Sequence, residues 1–260
     1  MATNTRRNRV QARTRSAAYH ASLRAVRATK LGSVGWFALA ACTALASAVL
    51  PACRTTTVGL DEGPREYVAS DYESVLKTWT RSEQLTTVNA MDNVLTVTAT
   101  YESWDFRWAY TVRYAEDYRL TVDQRHSLLE RSLAETREAH EFYVSLYAEK
   151  HKWNDLTATE PAWIVRLIDD EGTETAPSDI HTIKKPNAIE LTYFPYTSPW
   201  RSSFRITFPK VRADGRPTIS AAARWFGLRF AGAQGNEELI WEVAPTAHEF
   251  SDRAVTPRLN

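Results

Sequence analysis

The period of apolar residues changes several times along this chain, and each change predicts an element. Val68, Tyr72, Val75, Leu76 and Trp79 recur at three- and four-residue steps, the spacing that lines one face of a helix. Pro64 stands ahead of them, and a helix accepts proline in its first turn, so a helix is predicted over 64–81. Leu95, Val97, Ala99 and Tyr101 then alternate with Thr96, Thr98 and Thr100, which predicts a strand over 93–101. Residues 103–119 fit two periods. Trp104, Phe106, Trp108 and Tyr110 alternate as in a strand, while Phe106, Tyr110 and Tyr114 fall at helical spacing; the helical reading is adopted. Thr121-Val-Asp-Gln124 matches the box in which a Thr hydroxyl and a Gln side chain satisfy free backbone groups. With Leu129, Leu133 and Thr136 on one face, it predicts a helix over 122–139.

From residue 141 the period is two. Phe142, Val144 and Leu146 alternate with Tyr143, Ser145 and Tyr147, and Trp163, Val165 and Leu167 do so with Ile164, Arg166 and Ile168. Further apolar runs lie at Ile180–Ile183, Ile189–Phe194, Phe204–Phe208, Trp225–Phe230 and Leu239–Val243, separated by Pro and Gly. The expected fold is α+β: a helix-rich region at 64–140, then an antiparallel β-sandwich of about seven short strands at 141–243. Its likeness to an immunoglobulin-like sandwich rests on strand count and spacing alone. Residues 244–260 carry two prolines and no periodicity and are expected to form a mobile tail.

The first 52 residues have a different character. Residues 1–33 hold eight Lys and Arg and no Asp or Glu, and an apolar run, Val34 to Leu50, follows. Leu50-Pro51-Ala52-Cys53 closes it, with small Ala52 where a peptidase needs a narrow side chain. This order resembles the signal peptide of a bacterial lipoprotein, although Pro51 stands where that class usually has a small or β-branched residue. The resemblance implies removal of residues 1–52, a lipid on Cys53, and a place in the bacterial cell envelope facing the periplasm. Arg54, rather than Asp, follows Cys53, which within that resemblance favours the outer membrane. Residues 53–63 would then be a lipid-anchored tether. An uncleaved membrane anchor and an organellar transit peptide fit the same residues.

Cleavage changes the charge and cysteine counts. The whole chain sums to +1, but the part from Cys53 onward holds 24 basic and 31 acidic residues, a net of −7. An acidic domain is poorly suited to nucleic acid, whose binding rests on phosphate neutralisation, so no nucleic-acid partner is expected. Cys42 would leave with the leader and Cys53 would carry lipid, leaving no thiol for a disulfide, a thiolate metal site or a nucleophile.

Little in the chain points to chemistry. His126, His140, His151, His181 and His248 include no pair at the three- or four-residue spacing of a helical metal site. Asp169-Asp170-Glu171-Gly172 reads as a hairpin turn rather than a calcium loop, which needs alternating oxygens and a distal Glu. Gly-x-Ser-x-Gly and phosphate-cradling glycine loops are absent. No cofactor is expected. The aromatic stretch Tyr193, Phe194, Tyr196 and Trp200, stiffened by Pro195 and Pro199, is a candidate binding loop. The competing reading buries Tyr193 and Phe194 at a strand end and packs Trp200 over the sandwich's open end. The combined expectation is a membrane-anchored, non-enzymatic binding, scaffold or assembly module with an envelope protein partner. An envelope hydrolase acting on glycan or peptide, and a carrier of a small apolar ligand, are the alternatives.

Overall fold

A computed structural model describes residues 56–86 and 93–245. The leader, Cys53 and the tail beyond residue 245 lie outside the described residues. The fold is α+β, with two antiparallel sheets and a layer of helices.

The first helix, α1 (Tyr72–Trp79), is shorter than the predicted 64–81. Arg65 explains the late start: it pairs with Asp61 at 3.0 Å and also with Asp105, holding the chain around Pro64 away from a helical path. Asp71 Oδ2 accepts from Val68 N at 2.9 Å and closes the turn that leads into α1. The strand β1 (Thr80–Thr86) follows without a break, and β2 (Asn93–Tyr101) pairs with it antiparallel. Helix α2 (Trp104–Asp117) starts where Ser103 Oγ accepts from Phe106 N at 3.1 Å, so the helical reading of this stretch is the observed one. Arg119, at a left-handed φ of 54°, turns the chain into α3 (Val122–Glu138). The Thr121–Gln124 box forms as read, with Gln124 N donating to Thr121 Oγ1 at 3.3 Å and Thr121 N to Gln124 Oε1 at 2.9 Å.

The remaining strands are β3 (Ala139–Ala148), β4 (Ile164–Asp169), β5 (Glu174–Thr175), β6 (Asp179–Ile183), β7 (Ser202–Pro209), β8 (Trp225–Gly232) and β9 (Gly235–Glu242). They form a five-stranded sheet in the order β1-β2-β3-β7-β6 and a four-stranded sheet in the order β5-β4-β8-β9. Leu95, Val97, Ala99 and Tyr101 of β2 share a face with Phe142, Val144 and Leu146 of β3 and with Phe204, Ile206 and Phe208 of β7. That face meets the four-stranded sheet: Phe142 lies 5.6 Å from Trp241 and Tyr101 lies 5.3 Å from Phe226 between ring centroids. Aromatic rings that interdigitate between two sheets form the core.

Four expectations need correction. Residues around Ile189–Phe194 form helix α4 (Ala188–Tyr193), not a strand. Asn187 Oδ1 accepts from Ile189 N at 2.8 Å and from Glu190 N at 3.1 Å, and this cap overrides the β-prone side chains. A boundary at 140/141 falls inside β3, whose Phe142 pairs with Tyr101 of β2, so the helix-rich part and the sandwich share one sheet. The described residues hold nine strands, seven of them (β3–β9) over Ala139–Glu242, but these divide between two sheets that also take in β1 and β2. Helices cover the outer face of the larger sheet, a layer that two bare sheets of an immunoglobulin-like sandwich lack. The expected tether is also engaged: buried Val58 donates to Glu242 O and accepts from Ala244 N, each at 2.8 Å, bridging to Val243 alongside β9.

Candidate functional site

The outer face of the five-stranded sheet is polar. Thr98 and Thr100 of β2, Glu141, Tyr143 and Ser145 of β3, and Ser203 and Arg205 of β7 project there, because each alternates with a core residue. Protein covers much of this face. Phe194, just after α4, lies on Tyr143, and Tyr196 Oη shares a hydrogen bond with Thr100 Oγ1 at 2.7 Å. Helix α2 lies over the rest and brings Arg107 down onto the sheet; Arg107 shares an i, i+4 row with Thr111 and Ala115, all buried.

Four chain segments therefore bring opposite charges together. Arg107, only 5% exposed, bonds Glu135 of α3 and Glu141 of β3, and its Nη2 lies 3.2 Å from Glu102 Oε2. Arg205 Nη1 sits 3.5 Å from Glu102 Oε1 and 3.9 Å from Glu141 Oε2. Burial pulls the Arg107 guanidinium down, but the charges of Glu102 and Glu141 overcome it and raise it overall. Arg205 is raised mainly by the Glu102 charge, against burial. Burial, then repulsion from Glu102, raises the Glu141 carboxyl. The network is thus strongly paired yet incomplete. Glu102 is 7% exposed, but its Oε1 has no hydrogen-bond donor, and Arg107 Nε has no acceptor. A buried polar atom left unpaired costs about 1–3 kcal/mol, so such atoms stand out.

The network borders a cleft of about 230 Å³ between α2, α3 and α4, lined by Glu102, Arg107, Tyr110, Arg131, Glu190 and Arg205 among others. Leu128 and Arg131 also line a neighbouring groove of about 480 Å³ that contains Tyr114. Phe106, Tyr110, Tyr114 and Tyr118 follow one another at i, i+4 along α2, with centroids 6.1, 6.0 and 4.3 Å apart in succession. This aromatic row runs from the buried floor of the cleft to Tyr118, which is half exposed.

The expected binding loop divides. Tyr193, Phe194 and Tyr196 pack inward: Tyr193 Oη donates to Asp117 Oδ2 at 2.9 Å, and Tyr143 Oη shares a 3.0 Å hydrogen bond with Thr197 Oγ1 beside them. Tyr193 ends a helix, not a strand. Trp200 is 83% exposed and does not pack over the sandwich's open end. Tyr193 and Tyr196 do wall a second recess of about 470 Å³, together with Tyr72, Leu76 and Pro195, but charged Glu73, Lys77, Arg81 and Arg113 stand in its lining.

One buried titratable pair lies elsewhere. His140 Nδ1 faces Tyr101 Oη at 2.8 Å and Lys210 Nζ at 3.2 Å. Both neighbours donate, so Nδ1 is the acceptor of a neutral imidazole that carries its proton on Nε2. Burial, reinforced by the Lys210 charge, lowers His140 to about 3. Burial lowers Lys210 to about 8. Asp169-Asp170-Glu171-Gly172 forms a hairpin turn, in which Asp169 Oδ1 accepts from Thr173 N at 2.8 Å and Gly172 takes a φ of 77°. Among the described residues no helix is long and apolar enough to cross a membrane, and no group of three His, Cys, Asp or Glu side chains is arranged to hold a metal.

Local spacing does not reveal the cleft, because its charged residues come from α2, α3, β3 and β7 and meet only in the fold. The signal available was Arg107 on the same helical row as Thr111 and Ala115. No protein-family model, no curated protein and no solved structure matches this chain.

Proposed function

We infer that this protein is a lipid-anchored module of the bacterial cell envelope that binds a ligand or partner in the cleft between α2, α3 and α4, without catalysing a reaction. The observation that carries the binding reading is the cleft of about 230 Å³ that opens beside the buried, incompletely paired Glu102–Arg107–Arg205 network. Concave sites with a few convergent polar groups are the usual form of a binding site.

The anchoring reading rests on the basic, acid-free leader and on Leu50-Pro51-Ala52-Cys53. Two or more acyl chains hold a protein stably on a bilayer, each buried methylene contributing about 0.8 kcal/mol. Val58, five residues after Cys53, is already part of the fold. At about 3.6 Å per residue at most, a lipid on Cys53 would keep Val58 within roughly 18 Å of its attachment point. The module would thus work close to the membrane, facing the periplasm, where tethering raises its effective concentration toward other envelope components.

The test is a photo-reactive amino acid at Leu128, on the wall of the cleft, in intact cells. A specific adduct on the otherwise native protein that disappears with Arg205→Ala supports the reading. Identical adducts with and without Arg205, or none, would count against it.

A further inference from the structure

We propose that the outer edge of β1 and the recess beside it bind an extended, acidic peptide segment of a partner protein, which adds to the sheet as a strand and seats one large apolar side chain in the recess. This site is separate from the cleft between α2, α3 and α4 and does not depend on it.

The strand edge carries the first step. Among the described residues β1 pairs only with β2, so every second residue turns its backbone N–H and C=O away from the sheet. Arg81 occupies carbonyls at the start of the strand, its Nη1 donating to Thr78 O at 2.8 Å and to Thr80 O at 2.9 Å. Beyond it Ser82, Glu83 and Gln84 are exposed, and residues 82–86 include neither the proline nor the lysine that commonly guards an edge. Such an edge accepts an extended peptide, whose main chain supplies hydrogen bonds while its alternate side chains supply specificity.

The recess sets the side-chain preference. Thr80 and Ser82 share hydrogen bonds with Thr100 at 2.6 Å and with Thr98 at 2.9 Å, which puts them on the outer face of the sheet. There they border the recess of about 470 Å³, whose walls include Leu76 and Tyr196 and whose rim carries exposed Lys77 and Pro195. An outer-face side chain of a strand added at this edge stands beside Ser82 and reaches that space. A second copy of β1 does not fill it, because its residues on that face are Thr80, Ser82 and Gln84. Charge selects further. Glu73 is the one acid that lines the recess, against Lys77, Arg81 and Arg113. Arg113 is paired with Asp117, but Lys77 makes no ion pair among the described residues, and Arg81 donates only to carbonyl oxygens. In a chain that sums to −7 from Cys53 onward, this local excess of positive charge favours an acidic segment.

The test is fluorescence anisotropy of the full chain, purified from cells in mild detergent, with the labelled heptapeptide Thr-Glu-Val-Phe-Val-Glu-Thr, whose central Phe can be seated in either direction of pairing. Binding is expected, and it should be about tenfold weaker when Ala replaces the Phe, as for the loss of a buried anchor. Lys in place of both Glu residues of the peptide, or Lys77→Glu in the protein, should weaken it about threefold. Lys185→Glu should bind as wild type. Strand pairing uses every second N–H of the peptide. N-methylation of its two Val residues and N-methylation of its two Glu residues should therefore differ, one abolishing binding and the other leaving it. No binding, equal binding of the Phe and Ala peptides, or equal binding of the two N-methylated forms would overturn the proposal. A wild-type dimer in sedimentation that excludes the peptide would overturn it in favour of a second copy of this chain. Absence of an adduct at Leu128 in cells leaves it standing, because that adduct reports on the cleft.

Discussion

Phe194 lies flat on Tyr143, with ring centroids 3.9 Å apart and planes only 5° from parallel. The stack fastens the segment after α4 to the outer face of the five-stranded sheet, and both rings are buried. The segment therefore belongs to the core, while Trp200, six residues on, stands in solvent. Phe194→Ala should cost about 3–5 kcal/mol, the usual range for a large aromatic removed from a packed site. Trp200→Ala should fall within about 0.5 kcal/mol of wild type. Chemical denaturation of the two variants checks the contrast. Equal losses would contradict it.

Arg107 is the hub of the charged network, and its removal leaves buried Glu102 and half-buried Glu141 close together without their shared cation. Arg107→Met should cost about 3–5 kcal/mol at neutral pH, as breaking a buried ion pair does. Glu141, already raised by burial and by Glu102, should rise further in the variant. A carboxyl raised above its unfolded value takes up a proton on folding, so the deficit should shrink as pH falls from 7 toward 5. Denaturation midpoints at the two pH values measure this. A deficit that grows on acidification would contradict it.

His140 gives the fold an acid limit. Its value is about 3 in the folded protein against 6.5 unfolded. At pH 7 neither state is protonated, and the unfolded chain takes up the proton first as pH falls. Stability should therefore decline from about pH 6.5 down to about 3, by on the order of 5 kcal/mol from this group, at about 1.36 kcal/mol per unit. His140→Asn retains an acceptor near Tyr101 Oη and should flatten that slope. Melting curves across this range decide it, and an unchanged slope would show that other groups set the limit.

Much of this fold was legible from spacing. The strand at Asn93–Tyr101 and the capped helix at Val122–Glu138 appear with the expected bounds to within a residue, because side-chain period and capping chemistry are local properties. What escaped depends on tertiary contacts. β1 reads Thr-Arg-Ser-Glu-Gln-Leu-Thr, with no apolar alternation, because it is an edge strand. Its inward-facing Arg81 is satisfied by Ile240 O at 2.8 Å. α4 looked like a strand until its Asn187–Glu190 box is counted, and Pro186 before it was a further sign. The cleft escaped because Glu102 and Arg107, Glu135 and Glu141, and Arg205 come from separate parts of the chain, and only the sheet register and the helices on top of it bring them together.

Anchoring underlies the proposed role, because a binding domain engaged from Val58 onward meets envelope ligands at high local concentration only if Cys53 holds it to the membrane. Labelled palmitate fed to growing cells tests this most directly. Label should appear on the wild-type protein and be absent from Cys53→Ala, which should also leave the membrane fraction. Label of equal intensity on Cys53→Ala, or none on the wild type, would contradict lipid attachment at this residue.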